Sequence, residues 1–556
     1  MDASTINLLR NGSESEVEEI LRKFNEQNAK TFTFSDLSDD LKEKIAESLL
    51  KHMTQKLSPR AQCLCLQTIR LFSREKTRLG SLVSDDTLAV LMRLAGLEHY
   101  SRQGEEESGI TIQLGDSEVT IEAQKCLCNL IFNSAQAQAA CSKNGCVEGI
   151  VQRLKTYKDP DLQFDIKFFD MRLLFLLTAL CADTRPKIRF ELHGFTYMIE
   201  VIDLIVREAE SRSEGLTDQE VDLCSEILKI LFNLTVTVDR NNLDEEEDAH
   251  MMRLVCVLRD LLLCTTASKD KREGILSHTV NLLINMPRDC YEELLAPMSE
   301  GEMGGFENKE VEYDGKNMEA IVILLNFLHD RMDRVWDEPT KSLKESLTPI
   351  LHCLCETCRA NRSIRKFCRA KVLPPLKDEV KHLPEEGNTL RNRLCKLLTS
   401  PILEVKELAA DFLFVLCKES VQRMVKYTGY GNCAGLLANR GLLLGGQGQG
   451  DYSSDSEDSD TEDYSNLAEN TPCFRVNPVT GRFEEDKAKP WEGMTDEQKE
   501  YEAMKLVNAM DKLNRAGIIQ PSTLGEDGRP VPVSHILELM ENQPNIPANQ
   551  SDEEDE

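Results

Sequence analysis

The sequence has 556 residues, with 96 Asp plus Glu against 66 Lys plus Arg, and its net charge of −30 argues against a general binder of nucleic acid or of anionic membranes. No run of 18 apolar residues lacks charges and the N-terminus has no basic-then-apolar leader, so a cytoplasmic protein without a membrane span is expected. The 19 cysteines sit among Leu and Ile, as in Cys63-Leu64-Cys65, Cys126-Leu127-Cys128 and Cys353-Leu354-Cys355, and read as reduced thiols filling a core.

From about residue 14 to 430, segments with apolar residues at i, i+3, i+4 and i+7 follow one another, and no credible series of strands interrupts them. One phrase recurs: Lys125-Cys-Leu-Cys-Asn129-Leu130, Ile230-Leu-Phe-Asn233-Leu234 and Leu282-Leu-Ile-Asn285-Met286, with a looser copy at Gln67-Thr-Ile-Arg70-Leu71. Related helices at 170–180, 347–359 and 407–418 fill the gaps, at intervals somewhat longer than armadillo or HEAT units. Polar inserts at 101–118, 208–220, 239–248 and 298–316 would account for the excess. The fold class is therefore all-α: an armadillo/HEAT-like α-solenoid over 1–430 with a concave face.

The glycine-rich stretch 431–450 reads as a hinge, and 451–490 as an acidic, phosphorylatable tail that cannot repay its own ordering entropy. Within 491–520 an amphipathic helix is expected from Thr495 to Arg515. Thr495 and Gln498 have capping-box spacing, and Ala503, Leu506, Val507, Met510 and Leu513 share a face that needs a partner. Residues 521–556 read as a disordered acidic terminus.

No phosphate-binding loop, dinucleotide fingerprint, HExxH or GxSxG string occurs, so no catalytic centre, cofactor or metal site is expected. Cys355 and Cys358 form a lone CxxC on a helix whose apolar stripe already uses Cys353 and Leu354. Two constellations point to binding instead. Arg70, Arg74, Asn129, Asn233 and Asn285 recur near one phase of the repeats and could bond a partner's backbone or carboxylates from the concave wall, although each asparagine equally fits bonding inside its own repeat. Arg359, Arg362, Arg365, Lys366, Arg369 and Lys371 place six cations in thirteen residues with no acid, a patch that calls for an anion. The acidic tail supplies one. Ser454 and Ser459 each have Glu at +3, the pattern of an acidophilic kinase site, and phosphate would add charge-assisted bonds to the patch.

Several strings carry a family resemblance. They are Ile69-Arg70-Leu71 with Ser73-Arg74, Cys126-Leu-Cys-Asn-Leu130, Phe168-Phe-Asp-Met-Arg-Leu-Leu-Phe-Leu-Leu177, Val372-Leu-Pro-Pro-Leu376, Phe412-Leu-Phe-Val-Leu-Cys417, Lys426-Tyr-Thr-Gly-Tyr-Gly-Asn432, Asn477-Pro-Val-Thr-Gly-Arg482 and Glu492-Gly-Met-Thr-Asp-Glu-Gln498. In that order they resemble the synembryn family, the resistance to inhibitors of cholinesterase proteins, over nearly the full length. The resemblance implies a chaperone and non-receptor guanine nucleotide exchange factor for G protein α subunits, GDP-bound or nucleotide-free and without βγ, working in the cytoplasm and at the cell cortex. It implies that Arg70, Arg74, Asn129, Asn233 and Asn285 face the C-terminal helix of Gα. It also implies that Ser454 and Ser459 are casein-kinase-type sites, with Ser453 an alternative to Ser454, and that the 495–515 helix contacts the nucleotide-binding domain of Gα. A general solenoid adaptor for extended peptides is the rival reading.

Overall fold

The computed structural model describes residues 3–34, 37–54, 57–76, 79–97, 115–240, 242–297, 310–337, 343–376, 380–450, 452, 476–483, 493–525 and 527–533. The chain forms two compact units, Met1–Met298 and Ser299–Glu556. In the first the helices are α1 (Ala3–Asn11), α2 (Glu14–Asn28), α3 (Asp39–Met53), α4 (Pro59–Phe72), α5 (Asp85–Leu94), α6 (Ser117–Asn133), α7 (Ala135–Cys141), α8 (Cys146–Leu154), α9 (Phe164–Leu180), the single turn α10 (Thr184–Pro186), α11 (Gly194–Glu210), α12 (Asp218–Thr235), α13 (Glu245–Leu263) and α14 (Lys269–Leu283). In the second they are α15 (Glu319–Asp337), α16 (Leu343–Ala360), α17 (Arg362–Val372), α18 (Leu390–Leu397), α19 (Leu403–Leu416), α20 (Val421–Thr428), α21 (Tyr430–Arg440) and α22 (Asp496–Arg515).

Local chemistry sets where these helices start. Ser58 accepts from the Ala61 N–H and is followed by Pro59, whose fixed φ suits a first turn. Thr217 and Glu220 form a reciprocal capping box ahead of α12, and Asp244 caps α13. Two of the expected inserts are smaller than the sequence suggests, because Glu210 still belongs to α11, Thr217 already caps α12, and residues 245–248 are the first turn of α13. Most of 101–118 and 298–316 lies outside the described residues; Glu312–Tyr313 and Lys316–Asn317 make a short hairpin.

Within the first unit α2, α4, α6, α9, α12 and α14 stack in sequence, each on the next, while α3, α5, α8, α11 and α13 pack behind α4, α6, α9, α12 and α14. This is the helix-pair solenoid expected from the repeats. The second unit follows the same rule: α16 lies against α15, α17 and α19, and α19 against α18, α20 and α21. The helical stack also extends past the predicted end at 430, since α21 runs to Arg440. The glycine stretch beyond it is no loose hinge. Val421 N–H donates to Gly446 O at 3.1 Å and Gly448 N–H to Glu419 O at 2.8 Å, strapping the glycines across the entry to α20.

The cores are aliphatic and thiol-rich, and all 18 described cysteines are unpaired, 16 of them buried. One charged group is built into the core of the first unit. Arg153 and Asp170, both fully buried, pair through Nε to Oδ2 at 2.7 Å and through a second, shorter contact. Arg153 also donates to Ala95 O at 2.8 Å, Gln124 Nε2 to Asp170 Oδ1 at 2.7 Å, and the Tyr157 hydroxyl to Asp170 Oδ2 at 3.3 Å. The network joins the end of α5 to α6, α8 and α9.

Two expectations follow. Asp170→Asn leaves Arg153 as an uncompensated buried charge and lowers stability by about 3 kcal/mol in urea unfolding of the full chain. Burial holds the thiols of Cys65, Cys353, Cys355, Cys395 and Cys417 up at about 12 against an ordinary 9.0. The unfolded chain therefore loses these protons first, so the stability they confer is whole below pH 9 and falls from there toward pH 12. Each thiol contributes up to about 1.4 kcal/mol per pH unit, readable as a falling urea midpoint between pH 8 and pH 10.5.

Candidate functional site

The stacking of the first unit lines up a polar row. Asn129 on α6 donates Nδ2 to Arg70 O at 3.3 Å and to Ser73 Oγ at 3.1 Å. Asn233 on α12 donates to Thr178 Oγ1 of α9 at 3.0 Å. Asn285, just past α14, donates to Phe232 O at 3.4 Å and to Thr235 Oγ1 at 3.1 Å. Each amide thus satisfies the hydroxyl, and in two cases a carbonyl, at the C-terminal turn of the helix before it. The recurrence of Asn has a structural cause in these rungs. It leaves the Oδ1 atoms of Asn129, Asn233 and Asn285 without a hydrogen-bond partner among the described residues.

The same helices carry a charge motif that the sequence reading missed. Glu122 on α6 takes Arg70 Nε at 2.9 Å from α4 and Lys125 Nζ at 2.9 Å from its own helix. Two stack positions on, Glu226 of α12 takes Arg172 at 2.9 Å from α9 and Lys229 at 2.6 Å. Lys125 and Lys229 also lie over the rings of Phe169 and Phe175, at 5.4 Å and 4.8 Å from their centroids. The available signal was the spacing Glu-x-x-Lys-x-x-x-Asn, present at 122, 125 and 129 and again at 226, 229 and 233. His278 holds the glutamate position on α14, and burial, then Lys229, pushes its pKa below the ordinary value. Beyond Asn233 a cleft lined by Ala182, Arg185, Pro186, Phe190, Leu234 and Val238 opens, with Phe190 more than half exposed.

The structure therefore brings Arg70, Asn129, Asn233 and Asn285 onto one ladder of successive helices. Arg74 stands beside its start, where the guanidinium bonds Ala29 O at 2.9 Å and Thr31 O at 3.2 Å and covers the exposed ring of Phe32. Its fork is partly engaged in holding the loop after α2.

The second constellation lies in the other unit. Its six cations sit on the end of α16 and along α17, but they are not equally available. Arg365 is buried, donates to Cys358 O at 3.0 Å and stacks on the ring of Tyr452 at 4.7 Å. Arg359 pairs with Glu356 and, at 3.7 Å, with Glu419. Glu419 in turn accepts from the Tyr452 hydroxyl at 3.2 Å and from Gly450 N–H at 3.1 Å, and burial together with this carboxylate pushes the Tyr452 hydroxyl up to about 12. Arg362 and Lys371 are exposed, while Lys366 and Arg369 are half-exposed. The chain entering the acidic segment is therefore fixed on the basic patch at Tyr452. Ser453, Ser454 and Ser459 lie outside the described residues.

The third element is α22. It starts with the expected capping box of Thr495 and Gln498, yet none of its side chains is buried, and Leu506 and Met504 are 62% and 59% exposed. Among the described residues no group of His, Cys, Asp and Glu could hold a metal, and no helix is long and apolar enough to cross a membrane.

Comparison with known proteins gives a consistent result. A family profile described as "Guanine nucleotide exchange factor synembryn" matches residues 65–529. A chicken protein named "Chaperone Ric-8A" is 43% identical over 542 residues, covering 96% of both chains. The protein of that name from Xenopus tropicalis is 43% identical over 550 residues, covering 97% of both. Among solved structures, a designed armadillo repeat protein aligns with a TM-score of 0.34 at 11% identity, over 56% of this chain and 99% of that one.

The rungs themselves are testable. Asn129→Ala removes the amide bonds that join α6 to α4 and leaves Ser73 Oγ and Arg70 O with only their bond to each other at 2.9 Å, lowering stability by about 1 kcal/mol in urea unfolding without change in helix content by circular dichroism.

Proposed function

Because the chain belongs to the guanine nucleotide exchange factor synembryn family, we propose that its ladder of Arg70, Arg74, Asn129, Asn233 and Asn285 receives the C-terminal helix of a G protein α subunit. As a chaperone and exchange factor the protein works by binding, and its cycle is one of differential affinity. It engages GDP-bound or nascent Gα without βγ, favours the nucleotide-free form by drawing the C-terminal helix away from the guanine site, and releases it when GTP binds. A Gα not yet loaded with nucleotide presents the same form, which unites the two roles.

The observation that carries this reading is the row of amides whose oxygens have no hydrogen-bond partner among the described residues, half-exposed at Asn129 and Asn233, where Lys125 and Lys229 stand one turn before them, and buried at Asn285. Amide oxygens accept hydrogen bonds from donors on the incoming helix, and the cations, held by single carboxylates, answer its acids. The cleft at Phe190 takes an apolar side chain. The face of α22 formed by Leu506, Val507, Met510 and Leu513 covers the nucleotide-binding domain of the same Gα. An acidophilic, casein-kinase-type kinase modifies Ser454 and Ser459, and the phosphates meet Arg362, Lys366, Arg369 and Lys371. Arg359 and Arg365 act differently from the other four, fixing Tyr452 and so starting the acidic segment over the patch.

Release of GDP from purified Gα subunits of several classes tests the proposal. The chain is expected to accelerate it, more so after treatment with the kinase. Reversing Lys125 and Lys229 to Glu places like charges against the helix's acids and slows release about ten-fold or more. No acceleration with any Gα would remove the exchange reading. Reversal of Arg362 and Lys371 should abolish only the gain from phosphorylation, and an equal loss in the untreated protein would overturn the docking of the tail.

A further inference from the structure

α21 is held at both of its ends by chain that comes after it. At its start the Tyr430 N–H donates to Pro478 O at 2.8 Å and the Gly431 N–H to Val479 O at 2.9 Å. Donors that a helix leaves without an intrahelical partner are thus capped by the turn of a hairpin, Val476–Asn477 paired with Arg482–Phe483. The approach is one that side chains would block. Gly429 (φ 73°) and Gly481 (φ 67°) lie backbone to backbone, and a Cβ on Gly481 would stand 2.9 Å from Pro384 Cγ and 3.1 Å from Gly429 N. Arg482 adds a bond from Nε to Lys381 O at 3.1 Å.

At the other end Gly441 (φ 69°) closes α21 in the left-handed conformation and meets Gly528 (φ 71°). Gly528 sits in the turn of a second hairpin, Ser522–Leu524 with Pro530–Pro532, and a Cβ there would collide with Gly441 O. Between these two contacts the chain makes α22, whose own side chains bury nothing. The strings at 426–432 and 477–482, separate in the sequence, are the two halves of the first contact.

We propose that α21 is a clamp for α22: the two glycine contacts hold the flanks of α22 to the second unit, so that its uncovered apolar face is presented to Gα in place rather than on a free tether. The clamp makes Gly429, Gly441, Gly481 and Gly528 positioning residues for an interface that none of them touches. It rests on the Gα reading above for the identity of the partner, and on the two contacts alone for the clamp. Fixing a segment before binding removes the ordering cost from the association step, which is where affinity is gained.

The test uses full-length protein carrying Gly481→Val or Gly528→Val, with nitroxide labels at Asn439 and Lys505 to report the distance between α21 and α22. The unsubstituted glycines should give a narrow distance distribution and either valine a broad one. Affinity for Gα should fall about ten-fold with an unchanged thermal midpoint, and the double variant should fall further while staying above a chain ending at residue 484, which lacks α22 altogether. A distribution as narrow in the variants as without them overturns the clamp, as does a broad one with unchanged Gα affinity. A lost affinity that tracks a lowered midpoint overturns it too, assigning the glycines to folding. If the unsubstituted protein binds no Gα, the functional reading fails while the label distances still judge the clamp. Should Gly481→Val not fold, Gly528→Val carries the same test from the opposite end.

Discussion

A helix that is apolar around most of its circumference cannot stand at a surface, and α9 is such a helix. Ile166, Met171, Leu173, Leu174, Leu176 and Leu177 are all buried, and between them they point to more than one side. α9 is stable only with α6 on one flank, α12 on the other and α8 behind, and each of those has the same requirement of its own neighbours. The stack of the first unit is the consequence. Close stacking brings the carbonyl-bearing last turn of one helix against the next, where water is excluded and polar groups need partners. Asn129, Asn233 and Asn285 meet that need, so the residues proposed to face a partner also hold successive helices in register.

The Arg153–Asp170 network fits the same constraint. Burial of a charge pair rarely adds to stability over an apolar filling, and its partners here come from four separate segments: Ala95 after α5, Gln124 on α6, Arg153 and Tyr157 at α8, and Asp170 on α9. An aliphatic contact tolerates sliding by a fraction of a turn, whereas a bidentate guanidinium with three further hydrogen bonds accepts one arrangement. Glu122 and Glu226, each shared by an arginine from the preceding helix and a lysine on its own, set register in a gentler way nearer the surface.

Much of this could be read from the sequence because periodicity is a local property. The helices, the thiol-rich core and the capping box at Thr495 follow from spacing within twenty residues, and the repeat from a short string recurring along the chain. What could not be read depends on pairs far apart in the chain. Glu122 and Arg70 look like ordinary surface charges until α4 lies against α6. The cations at 359–371 form one run in sequence, yet the fold sets Arg359 and Arg365 against Glu419 and Tyr452, while Arg362 and Lys371 are the exposed ones. The glycine stretch reads as a hinge because glycine usually marks freedom. Here Gly446 and Gly448 are bonded across the entry to α20, and Gly441 and Gly528 exist where two backbones touch. Composition could not distinguish flexibility from close approach, since both call for the same residue.

Favouring a nucleotide-free Gα, as proposed above, sets a demand on this architecture. To turn a Gα population from one nucleotide-free molecule in a hundred to the reverse, binding must favour that form by about 5.5 kcal/mol. A single row of partly buried amides and screened lysines is poorly suited to supply all of it, because surface charge pairs contribute about 1 kcal/mol or less each. Apolar contact is the larger resource, and the described chain keeps an uncovered store of it on α22, at Met504, Leu506 and Leu513. Such a face is a liability while unpartnered. The acidic residues that open α22, Asp496 and Glu497, favour the helix through its dipole and keep that end hydrated, and the net charge of −30 resists self-association of the whole chain. The strong acidity first met in the composition is thus compatible with an exposed hydrophobic helix.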